Sequence, residues 1–403
     1  MAPHPEAAPT DAAPAGAGPA IRVLALAAEP DAVITTIRLT APLTPLVQQG
    51  LVALRLLPWH AAGPAELDDC QVLLAQRPIT ERHLRLLQAA HERGLAVVVE
   101  IDDLLTRPAP HLLSRAVLER QAPWVERALD EADWVSVSTE RLGQALAAPG
   151  RRWHVVPNHA AAAGAAPVPP TAPAVAGGAA TVLLAASDAV ATGPAFEALH
   201  QLQAERGTAL RIVAVGPVAE SARAAGLVVD ARPVMPRDAF LALAASLHDA
   251  VAVIPIDDSA FSAGKSAVKW FDFAAAGLPT LMSDRPPYAD VVEPGRSGWL
   301  VADDTAAWRE ALAQALDDSA LRARIAAQAQ RQVQERHSLG HATAAWWALL
   351  EQAAAAQAKG LVRRRPPAWH RRWTAPVQAW LTALRRANRE RLARRKRAAG
   401  GRR

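Results

Sequence analysis

The most informative stretch of this 403-residue chain is VIPIDDSAFSAGKSAVKWFDFAAAGLPTLMSD, residues 253–284. Its first residues are apolar and β-branched, which indicates the end of a buried strand, and Pro255 marks the start of a polar loop. A helix is expected over Ala267–Ala276, and Gly277 and Pro279 separate it from the next apolar run. Strand, helix and strand in this order are the unit of a parallel sheet, so the stretch predicts an α/β fold.

The same alternation of apolar runs and amphipathic segments extends over most of the chain. It is interrupted once by an Ala/Pro/Gly stretch with hardly a charge, which is typical of a linker. The predicted division is a disordered Ala/Pro leader at 1–20, a first α/β domain at 21–158, a linker at 159–179, a second α/β domain at 180–340, a helix at 341–358 and a basic tail at 359–403. Ligands of such sheets bind beyond the carboxyl ends of the strands, so we expect a site in a cleft between the domains.

Positive charge is concentrated in the tail. Residues 359–403 contain 16 of the 44 Lys and Arg residues and one of the 39 Asp and Glu residues, so the tail carries +15 and the rest of the chain −10. Trp369, Trp373 and Trp380 recur there at helical spacing, with Arg residues on another face. This pattern is typical of a helix on an anionic membrane surface. Docking on the acidic body and non-specific contact with RNA are alternatives. We expect no specific nucleic-acid partner.

Composition excludes several other classes of protein. The single cysteine, Cys70, rules out an intramolecular disulfide framework and a thiolate zinc cluster. No apolar run reaches the ~18 residues that span a bilayer, and residues 1–20 lack the features of a secretory signal. The 12 histidines are scattered without metal-binding spacing, so no metal is expected. No cofactor is expected either. We therefore expect a cytoplasmic protein, peripheral at the inner face of the membrane through its tail.

Lysine is rare in this chain, and its positions are informative. Arg supplies 40 of the 44 basic residues, yet two of the four lysines, Lys265 and Lys269, lie four residues apart in the quoted stretch. A compact ammonium acts as a point charge on phosphate. With a helix start expected at Ser262–Gly264, the two lysines predict an anion site, a solvated helix face being the alternative. Asp272 is expected to pair with Lys269 or to accept a hydrogen bond from a ligand hydroxyl.

A series of motifs follows in a fixed order. They are Ser266-x-x-Lys269-x-x-Asp272-x-Ala-Ala-x-Gly277-x-Pro279, then Ser283-Asp284, Pro287-Tyr288 and Val291-Val-Glu293-x-Gly295-x-x-Gly298-x-Leu300-Val301. The series resembles the donor-binding half of GT-B glycosyltransferases, in particular the family 4-like group (glycosyl transferases group 1), over most of residues 180–340. A weaker resemblance to that group's acceptor domain is carried by Val97-Val-Val-Glu-Ile-Asp102-Asp103, Ala132-Asp133-x-Val-x-Val-Ser138 and Val155-Val-Pro-Asn158.

The resemblance implies a GT-B fold, in which two Rossmann-like doubly wound domains face each other across a cleft. The second domain would hold a nucleoside-diphosphate sugar as co-substrate, and the first a glycan or lipid-linked acceptor. The implied activity is a hexosyl-type transfer in cell-surface polysaccharide synthesis, without a metal and with retention of the anomeric configuration.

The implied site residues form two groups. They are the catalytic Asp102, Asp103 and Asp272 and the donor-binding Gly264, Lys265, Ser266, Lys269, Asp284, Tyr288 and Glu293. Asp102 and Asp103 follow an apolar strand and would orient the acceptor hydroxyl or act as base, with a helix-cap or turn pair as the alternative. Glu293 would bind the ribose or, alternatively, be a loop carboxylate. Tyr288, the single tyrosine, is expected at the donor or in simple packing.

One position departs from the family's pattern. Many such enzymes carry two glutamates spaced E-x7-E, and here Asp272 stands at the second position and Gly264 at the first. Lys265 and Lys269 would then carry the diphosphate, as in a subgroup with a Lys-Ser-x-x-Lys pattern. The departure favours an alternative function, a catalytically inactive GT-B-like scaffold that binds glycans or partners.

Three further residues follow predicted strands in the first half. Surface ion pairs are expected for Arg38 and Arg77, and contact with an acceptor phosphate or carboxylate is the alternative. Asn158 is expected to cap a turn at the domain boundary.

Overall fold

In a computed structural model of the chain, the structure describes residues 20–161, 180–186, 193–247 and 249–364. These residues form two α/β domains, each built on a six-stranded parallel sheet. The predicted Rossmann-like, two-domain architecture is therefore confirmed. The predictions for the leader, for most of the linker and for the Trp/Arg-rich part of the tail fall outside the described residues.

The first domain begins with β1 and ends with β6. Its strands are β1 (Ile21–Ala27), β2 (Val52–Pro58), β3 (Val72–Gln76), β4 (Ala96–Ile101), β5 (Trp134–Val137) and β6 (Trp153–Val155). Its helices are α1 (Val33–Thr35), α2 (Ala41–Gln48), α3 (Glu81–Glu92), α4 (Arg115–Glu131) and α5 (Glu140–Ala145). A π-helical segment, Thr36–Thr40, joins α1 to α2. Helices cover both faces of the sheet, so all six residues of β4 are buried, and all of them except Glu100 are apolar.

The second domain repeats this alternation. Its strands are β7 (Ala180–Ala185), β8 (Leu210–Val215), β9 (Asp230–Arg232), β10 (Ala250–Ile254), β11 (Thr280–Ser283) and β12 (Trp299–Val301). Its helices are α6 (Pro194–Arg206), α7 (Val218–Ala224), α8 (Arg237–Ser246), α9 (Ala260–Gly264), α10 (Val268–Ala275), α11 (Thr305–Asp317) and α12 (Ser319–Arg336). Short 3-10 turns lie at Trp59–Ala61, Pro64–Leu67, Gly207–Ala209 and Tyr288–Asp290.

The strand order of each sheet reverses at one point. The orders are β2-β1-β3-β4-β5-β6 and β12-β11-β10-β7-β8-β9, so the reversals lie between β1 and β3 and between β7 and β10. Ligands of such sheets bind outside the carboxyl ends of the strands at the reversal. Arg77 directly follows β3, Ala186 follows β7 and Pro255 follows β10, and all three line one cleft between the domains. The topology and the cleft lining together indicate a candidate binding site there.

The last described helix, α13 (Leu339–Ala358), connects the two domains. It follows α12 of the second domain but packs on the first sheet, where Trp346, Leu349 and Leu350 are fully buried. The indole Nε1 of Trp346 donates a hydrogen bond to the Arg38 carbonyl at 2.7 Å. The chain thus crosses between the domains a second time.

The helix start that we expected at Ser262–Gly264 is wrong. These residues end the short helix α9, whose N-cap Ser259 accepts a hydrogen bond from the Ser262 amide at 3.2 Å. The backbone is extended at Lys265, and α10 begins only at Val268. Lys265 therefore lies between two helices, and Lys269 lies in the first turn of α10, which corresponds to the helix expected over Ala267–Ala276.

Gly216, directly after β8, is sterically constrained. Its φ is +83°, and a Cβ atom there would lie 2.3 Å from the carbonyl oxygen of Ala186. That segment is held, since the Ala186 amide donates to Val215 at 3.1 Å. We expect Gly216→Ala to lower the free energy of unfolding by about 3 kcal/mol, as measured by urea denaturation. Gly295→Ala is the matched control, with φ +70° but open space around it, and should cost about 1 kcal/mol. Equal losses in both variants would contradict the steric argument.

Candidate functional site

A cleft of about 460 Å³ lies between the domains, a size that suits a small-molecule ligand. Both domains contribute polar side chains to it. These are Arg77, Asp102, Asp103, His111 and Asn158 from the first domain, and Asp257, Ser262, Lys265, Ser266, Lys269 and Tyr288 from the second. Of the predicted site residues, the cleft therefore brings together Asp102, Asp103, Lys265, Ser266, Lys269 and Tyr288.

Lys265 reaches across the cleft to the first domain. Its Nζ lies 3.2 Å from Asp103 Oδ1 and 4.5 Å from the centroid of the Phe261 ring. The side chain remains 37% exposed. Its ammonium is thus both paired and accessible to a ligand in the cleft.

Asp102 and Asp103 are held together by Arg77. The guanidinium lies 2.6 Å from Asp102 Oδ1 and 3.1 Å from Asp103 Oδ2. Arg77 has φ +45°, a left-handed conformation that costs about 1–3 kcal/mol and is concentrated at functional sites. The expectation of a surface ion pair for Arg77 is therefore wrong, because its partners are cleft carboxylates.

The pKa of Asp103 reflects these neighbours. Burial opposes ionisation, but the positive charges of Lys265 and Arg77 and their hydrogen bonds outweigh it and lower the pKa. Asp103 is therefore an ionised hydrogen-bond acceptor at neutral pH.

Lys269 lies deeper than Lys265. Its Nζ donates a hydrogen bond to the Ala185 carbonyl at 2.6 Å. Burial, followed by the nearby charge of Lys265, lowers the pKa of Lys269 to about 8. Among the described residues no carboxylate forms an ion pair with this ammonium, so an anionic ligand in the cleft could supply its counter-charge.

Anion binding at this site should depend on the protonation of Lys269. Its charged form predominates below pH 8 and is lost as the pH rises through that value, whereas an anion favours the charged form. We expect the affinity for a nucleoside diphosphate such as UDP to fall about tenfold between pH 7 and pH 9, measured by calorimetry. In Lys269→Met the binding should be weaker and almost independent of pH. A pH dependence that persists in this variant would assign the titration to another group.

The structure places Asp272 away from the cleft. The Arg237 guanidinium binds it in a bidentate manner, with Nε to Oδ2 at 3.1 Å, and only 8% of the residue is exposed. Burial raises the pKa of Asp272, although the hydrogen bonds from Arg237 oppose that change. The ion-pair partner of Asp272 is thus Arg237 and not Lys269 as expected, and its carboxylate does not line the cleft.

Gly264 also lies outside the lining of the cleft. Its carbonyl accepts a hydrogen bond from the Thr139 hydroxyl at 2.9 Å. A Cβ atom at this position would make ordinary contacts with Leu142 and Leu104 of the first domain. A Cβ atom would therefore fit here at the contact between the domains, and the structure gives no steric reason for the departure from the two-glutamate pattern.

Two other predicted donor residues lie elsewhere. Asp284 is exposed and is not part of the cleft lining. Glu293 forms ion pairs with Arg296 at 2.9 Å and with Arg336 at 3.1 Å. The ribose contact expected for Glu293 is not supported by this position, and its alternative as a loop carboxylate is favoured.

Tyr288 lines the cleft and is almost fully buried. Burial raises the pKa of its phenol well above the usual value, so it remains neutral.

Sequence reasoning missed a pair of residues that spans the cleft. His111 Nδ1 lies 2.7 Å from Asp257 Oδ2, and both residues line the cleft. Burial opposes ionisation of Asp257, but hydrogen bonds from Ser259 and Ser262 lower its pKa. Asp257 could have been found from its position just beyond a buried strand, which is also the position of Asp102. His111 lies in a loop in which no sequence pattern singles it out.

The environment of Arg38 also differs from the expected surface ion pair. Its side chain is fully buried and donates to Glu100 Oε1 at 2.7 Å, to the Val156 carbonyl at 2.6 Å and to Asn158 Oδ1 at 2.8 Å. The Asn158 amide in turn donates to the Ser266 hydroxyl at 2.6 Å. Arg38 is thus an internal residue and not a surface one, and Asn158 links the domains instead of merely capping a turn.

A second space, of about 170 Å³, adjoins the cleft. The two share Pro255, Ile256 and Asp257, and the second space extends to the start of α6 at Gly193 and to Arg285. A ligand longer than the main cleft could continue into it.

Two absences hold for the described part of the chain. No group of three or more His, Cys, Asp or Glu side chains is arranged there to hold a metal ion. None of its helices is long and apolar enough to cross a membrane.

Comparison with solved structures identifies the architecture. Sucrose-phosphate synthase from Thermosynechococcus elongatus is similar with a TM-score of 0.58 and 15% identity over 83% of this chain and 100% of that chain. Anabaena HepE, in complex with UDP and glucose, is similar with a TM-score of 0.55 and 13% identity over 82% of this chain and 100% of that chain. A glycosyltransferase from Rickettsia africae is similar with a TM-score of 0.54 and 8% identity over 83% of this chain and 98% of that chain. A weaker match, to the GtfA/B complex with a TM-score of 0.48, spans 57% of that longer chain.

Sequence comparison adds a similarity for the second domain. No curated protein sequence matches the chain significantly. Residues 197–348 match the family model described as "Glycosyl transferase-like". The chain therefore has the GT-B fold, and most of its second domain, together with part of α13, is similar to the glycosyl transferase-like family.

Proposed function

We propose that the protein transfers a sugar from a nucleoside-diphosphate sugar, bound by the second domain, to a glycan or lipid-linked acceptor bound by the first. One observation carries this proposal. Lys265 and Lys269 of the second domain line the same cleft as Asp102 and Asp103 of the first. The cations that would bind the leaving diphosphate thus face the carboxylates that would bind the acceptor hydroxyl.

The lysines suit the charge that develops in the reaction. As the bond between sugar and diphosphate breaks, negative charge accumulates on the diphosphate, and fixed cations stabilise it. Lys265 is accessible, and Lys269 forms no ion pair within the described part of the chain. We propose that these two ammonium groups neutralise the diphosphate without a metal, while the nucleoside occupies the adjoining space near Arg285. The UDP in the HepE complex supports a nucleoside diphosphate as the donor group.

The acceptor side rests on Asp103. Its carboxylate is ionised and faces the cleft, so it can accept a hydrogen bond from the acceptor hydroxyl and orient the oxygen toward the sugar. Asp102 is more buried and bound to Arg77, so it supports Asp103. Resemblance to the family 4-like group supports retention of the anomeric configuration, which NMR of the product would test.

The charge of the tail and the nature of the acceptor bear on the cellular setting. The net charge of +15 in residues 359–403, together with a glycan or lipid-linked acceptor, supports a peripheral position at the inner membrane face and a role in cell-surface polysaccharide synthesis. Flotation of the full chain with phosphatidylglycerol vesicles tests this. Loss of flotation after removal of residues 365–403 is expected, and no flotation of the full chain would contradict it.

The central test measures ligand binding and turnover together. We would titrate UDP, GDP, ADP and TDP and their common sugar conjugates against the wild-type protein in a thermal-shift panel. A ligand at about 100-fold above its Kd adds about 2.7 kcal/mol, a shift of several degrees. We expect one nucleotide to stabilise the protein and its sugar conjugate to release diphosphate when an acceptor is present. Stabilisation without release would favour the inactive scaffold, and no shift would contradict a donor site.

A further inference from the structure

We propose that Asp103 holds Lys265 until the donor diphosphate draws the Lys265 ammonium away and thereby frees Asp103 for the acceptor. This inference rests on the proposed function and deepens it. It makes the contact between Lys265 and Asp103 a latch that joins the donor and acceptor sites.

Both carboxylate oxygens of Asp103 are engaged in the structure. Oδ1 accepts from Lys265 Nζ at 3.2 Å, and Oδ2 accepts from Arg77 at 3.1 Å. An acceptor hydroxyl that approaches Asp103 thus meets a carboxylate already bound on both sides. When Lys265 moves away, Oδ1 loses its charged partner and is open to the hydroxyl on all its acceptor sites.

Lys265 is the member of the lysine pair that can change partners. Its side chain is 37% exposed, and it lies on the extended link between α9 and α10. Lys269, by contrast, is held in the first turn of α10 by its hydrogen bond to Ala185. A diphosphate carries more negative charge than one carboxylate and offers more acceptor oxygens, so it competes effectively for the Lys265 ammonium.

Arg77 keeps Asp103 in place after Lys265 has left. Its guanidinium is anchored to Asp102 at 2.6 Å, so Asp103 Oδ2 stays bound while Oδ1 opens. Loss of the Lys265 charge from its surroundings also moves the pKa of Asp103 upward, which makes it a better proton acceptor. Arg77 is thus a positioning residue, and donor binding prepares the acceptor site.

The proposal predicts opposite effects of Asp103→Asn on two measurements. The variant removes the competitor for Lys265, so UDP should bind about 5- to 10-fold more tightly by calorimetry, with GDP, ADP and TDP run in parallel. Turnover should fall about 100-fold, because the acceptor loses its carboxylate. Asp102→Asn is the matched control, since Asp102 touches Arg77 but not Lys265, and it should not tighten nucleotide binding.

The outcomes separate this inference from the proposed function. If the wild type binds none of the four nucleotides, the proposed function fails. If the wild type binds a nucleotide and turns over, but Asp103→Asn binds it no more tightly than Asp102→Asn does, the latch is overturned alone.

A measurement on the wild type covers the case in which Asp103→Asn does not fold. An acceptor that the enzyme uses should bind at least 10-fold more tightly in the presence of saturating UDP than in its absence. Equal acceptor affinity with and without UDP would contradict the latch.

Discussion

Lys265→Ala should lower kcat/KM for sugar transfer by about 10²- to 10³-fold and weaken nucleoside-diphosphate binding. The reason is electrostatic, since a fixed donor aimed at developing charge in a partly dry site typically contributes that much. Lys265 is the accessible ammonium of the cleft, and Lys269 beside it is only partly charged above pH 8. Diphosphate release under steady-state conditions measures the first effect and calorimetry with UDP the second.

Two further variants make this prediction specific. Lys359→Ala removes an exposed lysine after α13, outside the cleft, and should leave both quantities unchanged. Lys265→Arg keeps the charge but replaces a compact ammonium by a planar fork, so we expect partial recovery. If Lys265→Ala folded normally and kept wild-type kcat/KM, the donor site would have to be placed elsewhere.

The fold could be predicted because its strands and helices follow from local sequence patterns. Apolar runs such as Ile21–Ala27 gave the strands, and Gly277 and Pro279 correctly separated α10 from β11. Two sheets of this kind place their ligands at the carboxyl ends of the strands. For this reason Asp102 and Asp103, which directly follow a strand, were found in the cleft.

The pairing of side chains could not be predicted, because it depends on residues far apart in sequence. Asp103 and Lys265 are separated by 162 positions, and Asp272 and Arg237 by 35. Asp272 lies three residues after Lys269, which suggested a pair, but the direction of α10 turns it toward Arg237 on α8. The short helix α9 was missed because its N-cap, Ser259, was not singled out by sequence spacing, whereas α10 lies where a helix was expected, over Ala267–Ala276.

Arg38 shows the same difficulty for burial. An arginine after a short apolar run is usually exposed, so a surface ion pair was the natural expectation. Its burial depends on Glu100 from β4, Asn158 from the domain boundary and Trp346 from α13. These contacts come from three distant segments, and only the complete fold brings them to one place.

Arg38→Met should destabilise the protein by about 4 kcal/mol. Both Arg38 and Glu100 have fully buried side chains, and removing one partner of such a pair leaves an uncompensated charge, which costs about 3–5 kcal/mol. Glu100 Oε2 already lacks a hydrogen-bond partner among the described residues, so the remaining carboxylate has little other support. For a domain of about 150 residues this loss corresponds to a decrease in Tm of roughly 8–16 °C.

The pH dependence of this loss identifies its cause. Burial raises the pKa of Glu100 above that of an unfolded glutamate, and loss of the Arg38 charge raises it further. A carboxyl group whose pKa is higher in the folded state favours folding when protonated, so the deficit of Arg38→Met should be smaller at pH 5 than at pH 8. The double variant Arg38→Met/Glu100→Leu removes both charges and should regain part of the stability. If urea denaturation showed the same deficit at both pH values and no recovery in the double variant, lost packing and not the unpaired Glu100 charge would be the cause.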